Sequence, residues 1–255
     1  MRLGRFIFFL TLIFFAAYCW AGGSAVVKQM LPSLPQTNSP LFTDGSNLAG
    51  KTYRLLFLKS AVEAKTGNKK RLPLQQVPIV LQQAVISIED NRFYSHVGID
   101  IEGILRASLV NVQKGSIVEG GSTITQQLVK NLFLSQEQTV TRKLEEALLS
   151  IDMELQYSKE EILEMYLNTI FFGSGSYGIQ DATRNYFAKS PADLTLAESA
   201  LLAGLPNAPS LYSPYVNMTA AKQRQALVLN AMVRNGYIGP TQAQEAKSAP
   251  LKFAK

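Results

Sequence analysis

The sequence predicts a mostly α-helical domain carried on a membrane-anchored stalk. Near the N-terminus lies one uncharged run long enough to span a bilayer. Beyond residue 78 apolar residues recur at helical spacing, and Ser/Thr-x-x-Glu/Gln capping patterns open segment after segment. No alternating apolar–polar run is present that would build a multi-strand sheet.

Composition bounds the function. The chain has 255 residues, 47% hydrophobic and 17% charged, whereas an average soluble domain is about 25% charged. That excludes a disordered, highly charged tail protein. A single Cys excludes an internal disulfide framework and a multi-Cys metal site, and a single His excludes the two-His zinc helix. The formal charge of +6 asks for an anionic partner, namely nucleic acid, a membrane surface or a phosphate-bearing substrate.

Residues 6–27 carry no charge and match the length of a membrane span. Arg2 and Arg5 precede the run, which favours a cytoplasmic N-terminus with the remainder outside. The rival is a cleaved signal peptide, because residues 21–25 (AGGSA) are small. The length of the run favours a retained anchor. On either reading the remaining chain works outside the inner membrane, and nucleic acid drops out as the partner.

Residues 28–50, with three prolines and many small polar residues, read as a stalk. The flank 51–71 is strongly basic, with only Glu63 opposing seven Lys and Arg, and suits either anionic lipid heads or plain solvent. Within it, 51–60 (KTYRLLFLKS) is the one candidate strand. From Pro78, ahead of IVLQQAVISIE, the chain reads helical. Ile101, Ile104, Leu105, Ser108 and Val112 share a helix face. Capping boxes pair Thr123 with Gln126, Ser158 with Glu161, Thr195 with Glu198 and Thr241 with Gln244. Thr219 opens a last long helix that Gly236 can close.

Three short patterns mislead. GSGSYG (173–178) matches the dinucleotide fingerprint, but a helix precedes it where a strand is required. Lys65-Thr66-Gly67 matches the KTG of serine penicillin-binding enzymes, yet no Ser has Lys three residues later. Asn217-Met218-Thr219 fits a glycosylation acceptor, but its Thr reads as a helix cap.

Two acidic clusters can carry chemistry. Glu89-Asp90 ends an apolar helix beside Phe93, Tyr94 and His96. Desolvation there raises a carboxyl pKa and suits it to proton transfer near neutral pH. In RKLEE (142–146), Arg142 and Glu146 share a helix face, as a salt bridge or as a cation and an acid facing a phosphate. Between them EGGSTITQQLVKN (119–131) offers two glycines, Ser122, Thr123, Thr125, Gln126 and Gln127 as uncharged hydrogen-bonders, and a helix start able to receive an anion. Lys130 follows about two turns later. Taken alone, the bland readings of these clusters are the commoner ones: an ordinary ion pair, a solvated helix end, a structural cap.

Together they change the odds. Residues 88–98, with the pattern ED-x-x-F-x-x-H-x-G, resemble the first motif of the bacterial peptidoglycan glycosyltransferases, glycosyltransferase family 51. GGSTITQQLVKN (120–131) is similar to their second motif and RKLEE (142–146) to the third. KEEILEMYLNTIFFGSGSYGI (159–179) is similar to the fourth and ALLAGLPNAPSLYSP (200–214) to the fifth. Order and spacing agree across roughly residues 72–236.

The resemblance implies an all-α, lysozyme-like fold with a head lobe and a smaller membrane-proximal jaw, after one N-terminal transmembrane helix. It divides the chain into an anchor (1–27), a stalk and basic flank (28–71) and a glycosyltransferase domain (72–255). The implied reaction polymerises lipid II into β-1,4-linked glycan strands with inversion and release of polyprenyl pyrophosphate. Glu89 matches the base that takes the acceptor 4-hydroxyl proton, and Glu146 the second catalytic acid near the donor pyrophosphate. Lys130 and Arg142 match the cations that neutralise it. Asp90, Ser122, Thr123, Gln126 and Gln127 match site-lining positions. His96 reads as a packing and hydrogen-bonding residue rather than a base, and GSGSYG as a turn beside the site.

No cofactor is implied as required, with a divalent cation the one candidate assistant at the pyrophosphate. The implied partners are lipid II, the growing lipid-linked strand, the membrane and other wall-synthesis proteins. The implied location is the inner membrane, single-pass, with the catalytic domain outside. Many relatives carry Arg eight residues after the second-motif lysine; here that residue is Gln138. With no transpeptidase domain in its 255 residues, the chain reads as monofunctional, the alternative being a piece of a bifunctional protein. The alternative functions are a membrane-anchored muramidase and a non-catalytic scaffold of the wall-building complex.

Overall fold

The computed structural model describes residues 48–67, 71–116, 120–135, 137 and 139–254. The predicted span 6–27, the stalk as far as residue 47, Lys69, Lys70, Glu119 and Gln138 lie outside the described residues. Among the described residues no helix is long and apolar enough to cross a membrane.

The chain divides into two compact units, residues 1–57 and 58–255. In the first, helix α1 (Leu48–Leu56) is described. The second opens with α2 (Leu58–Thr66). These two helices replace the strand expected at 51–60. Leu58, Ala61 and Val62 are buried at helical spacing, and that stripe decides the local structure. Lys65-Thr66-Gly67 closes α2, with the Thr66 hydroxyl donating to Val62 O at 2.8 Å.

The helices that follow are α3 (Ile79–Glu89), α4 (Ile101–Lys114), α5 (Ile124–Phe133), α6 (Val140–Gln156) and α7 (Lys159–Thr169). After them come α8 (Ile179–Phe187), α9 (Leu196–Gly204), α10 (Pro209–Tyr212), α11 (Met218–Arg234) and α12 (Pro240–Ser248). The only β pairing among the described residues is two isolated bridges, Val97 with Ile99 and Phe171 with Tyr177.

Two packing groups make the core. In one, α3, α9 and α11 pack mutually. Leu81, Ala84 and Val85 on α3, Ala200, Leu201 and Leu202 on α9, and Val228, Leu229 and Met232 on α11 are all buried. Helix α9 (LAESALLAG) is apolar on nearly every side, as a helix surrounded by protein must be. In the other group α5 packs on α6 and α7, with α2 alongside. Ile124, Leu128, Leu149, Met153, Ile162 and Tyr166 fill it. The segment before α3 is tied to α7 by Asn168, which accepts from Leu72 N–H at 2.9 Å and donates to Leu72 O at 3.0 Å.

The capping boxes at Thr123, Ser158 and Thr195 form as the sequence predicts. The one at Thr241 does not. Pro240 takes a first-turn position and starts α12 earlier, and Gln242 accepts from Gly239 N–H at 2.8 Å. Likewise α11 is capped by Asn217, whose Oδ1 accepts from Ala220 N–H at 2.9 Å, and not by Thr219. Helix α4 forms as expected, but its apolar stripe stays uncovered. Ile101, Leu105, Leu109 and Val112 are exposed, and only Gly103 and Ala107 are buried. On α6, Val140, Leu144, Leu148 and Leu155 are exposed too.

Candidate active site

Glu89 is the last residue of α3, whose preceding residues enter the core. Asp90 leaves helical geometry at once, with φ −161° and ψ 76°, so the helix stops with the Glu89 carboxylate at its exit. That side chain is only 6% exposed. Gln127 Nε2 on α5 donates to Oε2 at 2.7 Å. Arg224 Nη2 on α11 stands 3.5 Å from Oε1. Among the described residues no hydrogen bond reaches Oε1. Burial raises the Glu89 pKa, and the Gln127 hydrogen bond and the Arg224 and Lys130 charges only partly offset it. Thus the desolvated carboxylate inferred from AVISIED is present.

Asp90 does different work. Its carboxylate is buried, accepts from Ile124 N–H at 2.9 Å and contacts His96 Nε2 at 3.0 Å. The start of α5 was expected to receive a substrate anion. It receives the Asp90 carboxylate instead, which satisfies one of the open helix N–H groups. Thr123 and Gln126 are also buried and spend their polar groups internally. Thr123 Oγ1 donates to Gly98 O at 2.7 Å and accepts from Gln126 N–H, while Gln126 Oε1 accepts from Thr123 N–H. Asp90, Thr123 and Gln126 therefore build the frame beneath the site.

Behind that frame His96 Nδ1 lies 3.9 Å from Glu154 Oε1. Glu154 also accepts from Thr125 Oγ1 at 2.6 Å and meets Lys159 Nζ at 2.6 Å. The histidine is a bonded structural residue, as the sequence reading has it. Gly98 brings this loop onto α6. Its φ is +76°, and a Cβ would lie 2.6 Å from the Ser150 carbonyl carbon and oxygen. Only glycine allows that approach.

Glu146 anchors a second cluster. It is 2% exposed. Arg142 Nη1 donates to Oε2 at 2.7 Å, Lys143 Nζ to Oε1. Lys143 Nζ also reaches Ser122 Oγ at 2.9 Å. The structure thus joins Arg142 and Lys143 on Glu146 and Ser122 to Lys143, bonds Gln127 to Glu89, and puts Lys130 within electrostatic reach of Glu89.

Sequence reasoning missed Arg224, Tyr166 and Glu154. Arg224 comes from 135 residues beyond Glu89 in sequence, and only the packing of α3 on α11 brings it there. It is seated by Gly204, where a Cβ would lie 2.8 Å from Arg224 Cγ, and by the Tyr212 ring, 5.6 Å away. Tyr166 lies inside the fourth motif, in MYLN, so the motif itself carries a signal for it. The GSGSYG segment is a turn as expected. Its side-chain bonds run from Ser174 to Ser213 at 3.0 Å, linking the fourth and fifth motifs, and from Asn185 on α8 to Ser176 at 3.0 Å.

A divalent cation held by the protein does not fit these residues. Both Glu146 oxygens face cations, and the Asp90 oxygens take His96 and a backbone N–H. Among the described residues no group of three or more His, Cys, Asp or Glu is arranged to hold a metal.

Residues 58–233 match the family model described as transglycosylase. Penicillin-binding protein 1A of Aquifex aeolicus is 46% identical over 199 residues, 77% of this chain and 27% of that protein. Penicillin-binding protein 1F of Bacillus subtilis is 44% identical over 186 residues, 73% of this chain and 26% of its own length. The chain thus spans about a quarter of these relatives. A crystal structure of penicillin-binding protein 1A from Haemophilus influenzae aligns with 74% of this chain and 19% of its own, at 27% identity and a TM-score of 0.44. With the five motifs in order and the family model covering most of its length, the chain belongs to the transglycosylase family.

Proposed function

We propose that the chain polymerises lipid II into β-1,4-linked peptidoglycan glycan strands by inverting glycosyl transfer. Glu89 Oε1 takes the proton from the acceptor 4-hydroxyl. The freed oxygen attacks the donor anomeric carbon from the face opposite the pyrophosphate. The bond from that carbon to the pyrophosphate oxygen breaks, and polyprenyl pyrophosphate departs with the electron pair. Lys130 and Arg142 meet the charge that grows on it, where preformed cations are most effective. Glu146 holds Arg142 and Lys143 in place, and Ser122 and Gln127 line the route.

The observation that carries this reading is the environment of Glu89. A shielded carboxylate has a raised pKa, one oxygen free of hydrogen bonds, and cations within electrostatic reach. A carboxylate whose pKa is raised by burial is a stronger base than an exposed one, which suits it to proton abstraction. The resemblance of the motif order to that of the transglycosylase family supports the same role.

The uncovered apolar faces of α4 and α6 support a second part of the reading. Exposed contiguous apolar surface of this kind suits lipid contact. We assign these helices to a membrane-proximal jaw in a lysozyme-like, two-lobed domain, and residues 6–27 to a single anchor that puts the domain on the outer face. Wall-synthesis proteins are the natural partners of such a site. The test is incubation of the detergent-solubilised chain with labelled lipid II or with finished glycan, with and without a pyrophosphate-mimicking glycolipid inhibitor. Inhibitor-sensitive polymer from lipid II supports the proposal. Cleavage of finished glycan makes the chain a muramidase, and inertness toward both makes it a scaffold.

A further inference from the structure

Tyr166 is fully buried on α7 and has no place in the reaction as drawn. Its hydroxyl lies 3.0 Å from Gln127 Oε1, and Gln127 Nε2 lies 2.7 Å from Glu89 Oε2. These two bonds fix each other. An ionised carboxylate only accepts, so Gln127 must turn its amide N–H toward Glu89. Its carbonyl oxygen then faces Tyr166, and the phenol must donate. Burial holds the Tyr166 pKa well above its ordinary value, so this donor stays protonated.

We propose that Tyr166 is a positioning residue that acts through Gln127. It locks the Gln127 amide in the orientation that occupies Glu89 Oε2, and so presents Oε1 as the oxygen that takes the proton. Protonation at Oε2 would need Gln127 to flip its amide; the Tyr166 oxygen can accept from the turned N–H group, but the buried Tyr166 O–H then loses its acceptor. Oε1 is buried too, but a proton there leaves the Gln127–Tyr166 pair as it stands. It carries no hydrogen bond among the described residues and faces Arg224. The inference rests on Glu89 being the base.

The groups that face Glu89 are few. Lys130 lies on α5, Tyr166 on α7 and Arg224 on α11, with Asp90 next in sequence. The one titratable residue of α9, Glu198, is engaged by Lys189 and Thr195.

The test is the pH profile of lipid II polymerisation by the full chain. Gln127 donates to the charged form of Glu89 and so lowers its pKa. Gln127→Leu should therefore move the acid limb of kcat/KM upward by about one pH unit, the scale of a hydrogen bond to a charged group. Tyr166→Phe, which removes one buried oxygen, should move it in the same direction by less. The double variant should move it no further than Gln127→Leu, because Tyr166 acts only through Gln127. A purely structural Tyr166 would lower the melting temperature and scale the profile down without moving the limb. An unmoved limb in both single variants, or additive shifts in the double variant, overturns the proposal. Glu89→Gln in the same assay separates this from the underlying reading, because near-normal polymerisation there removes Glu89 as the base and the proposal with it.

Discussion

Gly98→Ala tests the joint between the first-motif loop and α6. At φ +76° a Cβ costs about 1–2 kcal/mol. The added carbon would also lie 2.6 Å from the Ser150 carbonyl carbon and oxygen and 2.8 Å from Ile151 N, all backbone atoms within a helix. They cannot rotate away, so overpacking adds roughly 1–3 kcal/mol. The total of roughly 2–5 kcal/mol corresponds to a fall in melting temperature of roughly 4–20 °C for a domain this size. Gly115→Ala is the control. Gly115 has φ +63° with no atom within 4 Å of a built Cβ, so it carries the dihedral cost alone. Gly98→Ala should also cut polymerisation beyond what its unfolded fraction explains, because Gly98 O anchors Thr123 and with it the start of α5. Thermal melts and lipid II turnover on both variants give the answer. Equal melting temperatures for the two would refute the close approach to α6.

Two further outcomes follow from the charges. Lys130→Ala should lower turnover about ten- to 150-fold, the scale of one lost charged hydrogen bond, with an unchanged fold, read by product formation and a thermal melt. Glu198 has a lowered pKa although its burial alone would raise it, because Lys189 and Thr195 hydrogen-bond the charged form. A depressed acid pKa contributes stability above the unfolded value of 4.5 that is lost as pH falls through the folded value. Glu198→Gln should therefore flatten the acid side of a melting-temperature profile below that pH, and an identical profile would remove Glu198 from the account.

Much of the domain was legible. Local chemistry gave it away: a buried stripe or a capping box is written within a dozen residues, as at Thr123, Ser158 and Thr195. Where two local signals competed, the nearer stop or cap won, as Pro240 did over Thr241 and Asn217 over Thr219. The helices at 48–66 were hidden because consecutive Leu and Phe residues in 55–58 show neither period clearly.

The site was legible in its charges and not in its wiring. Glu89, Glu146, Arg142 and Lys130 stand out as polar groups in motifs. Arg224 reaches Glu89 only through the packing of α3 on α11, and no short pattern encodes that. Asp90, Thr123 and Gln126 were expected to line the site, yet burial and internal bonds assign them to its frame. Periodicity also could not tell a core-facing stripe from an uncovered one, which is why α4 reads like a core helix and is not. The predicted anchor and Gln138 lie outside the described residues.

The central claim is that Glu89 is the base. Glu89→Gln keeps the shape and a hydrogen-bonding oxygen toward Gln127 but cannot accept the acceptor's proton. The direct measurement is the initial rate of labelled lipid II polymerisation by purified Glu89→Gln beside the parent chain, with a melting curve on each. A loss of at least ~10²-fold in a protein that still melts cooperatively is the expected result. Polymer formed at a near-parental rate would contradict the account at its centre.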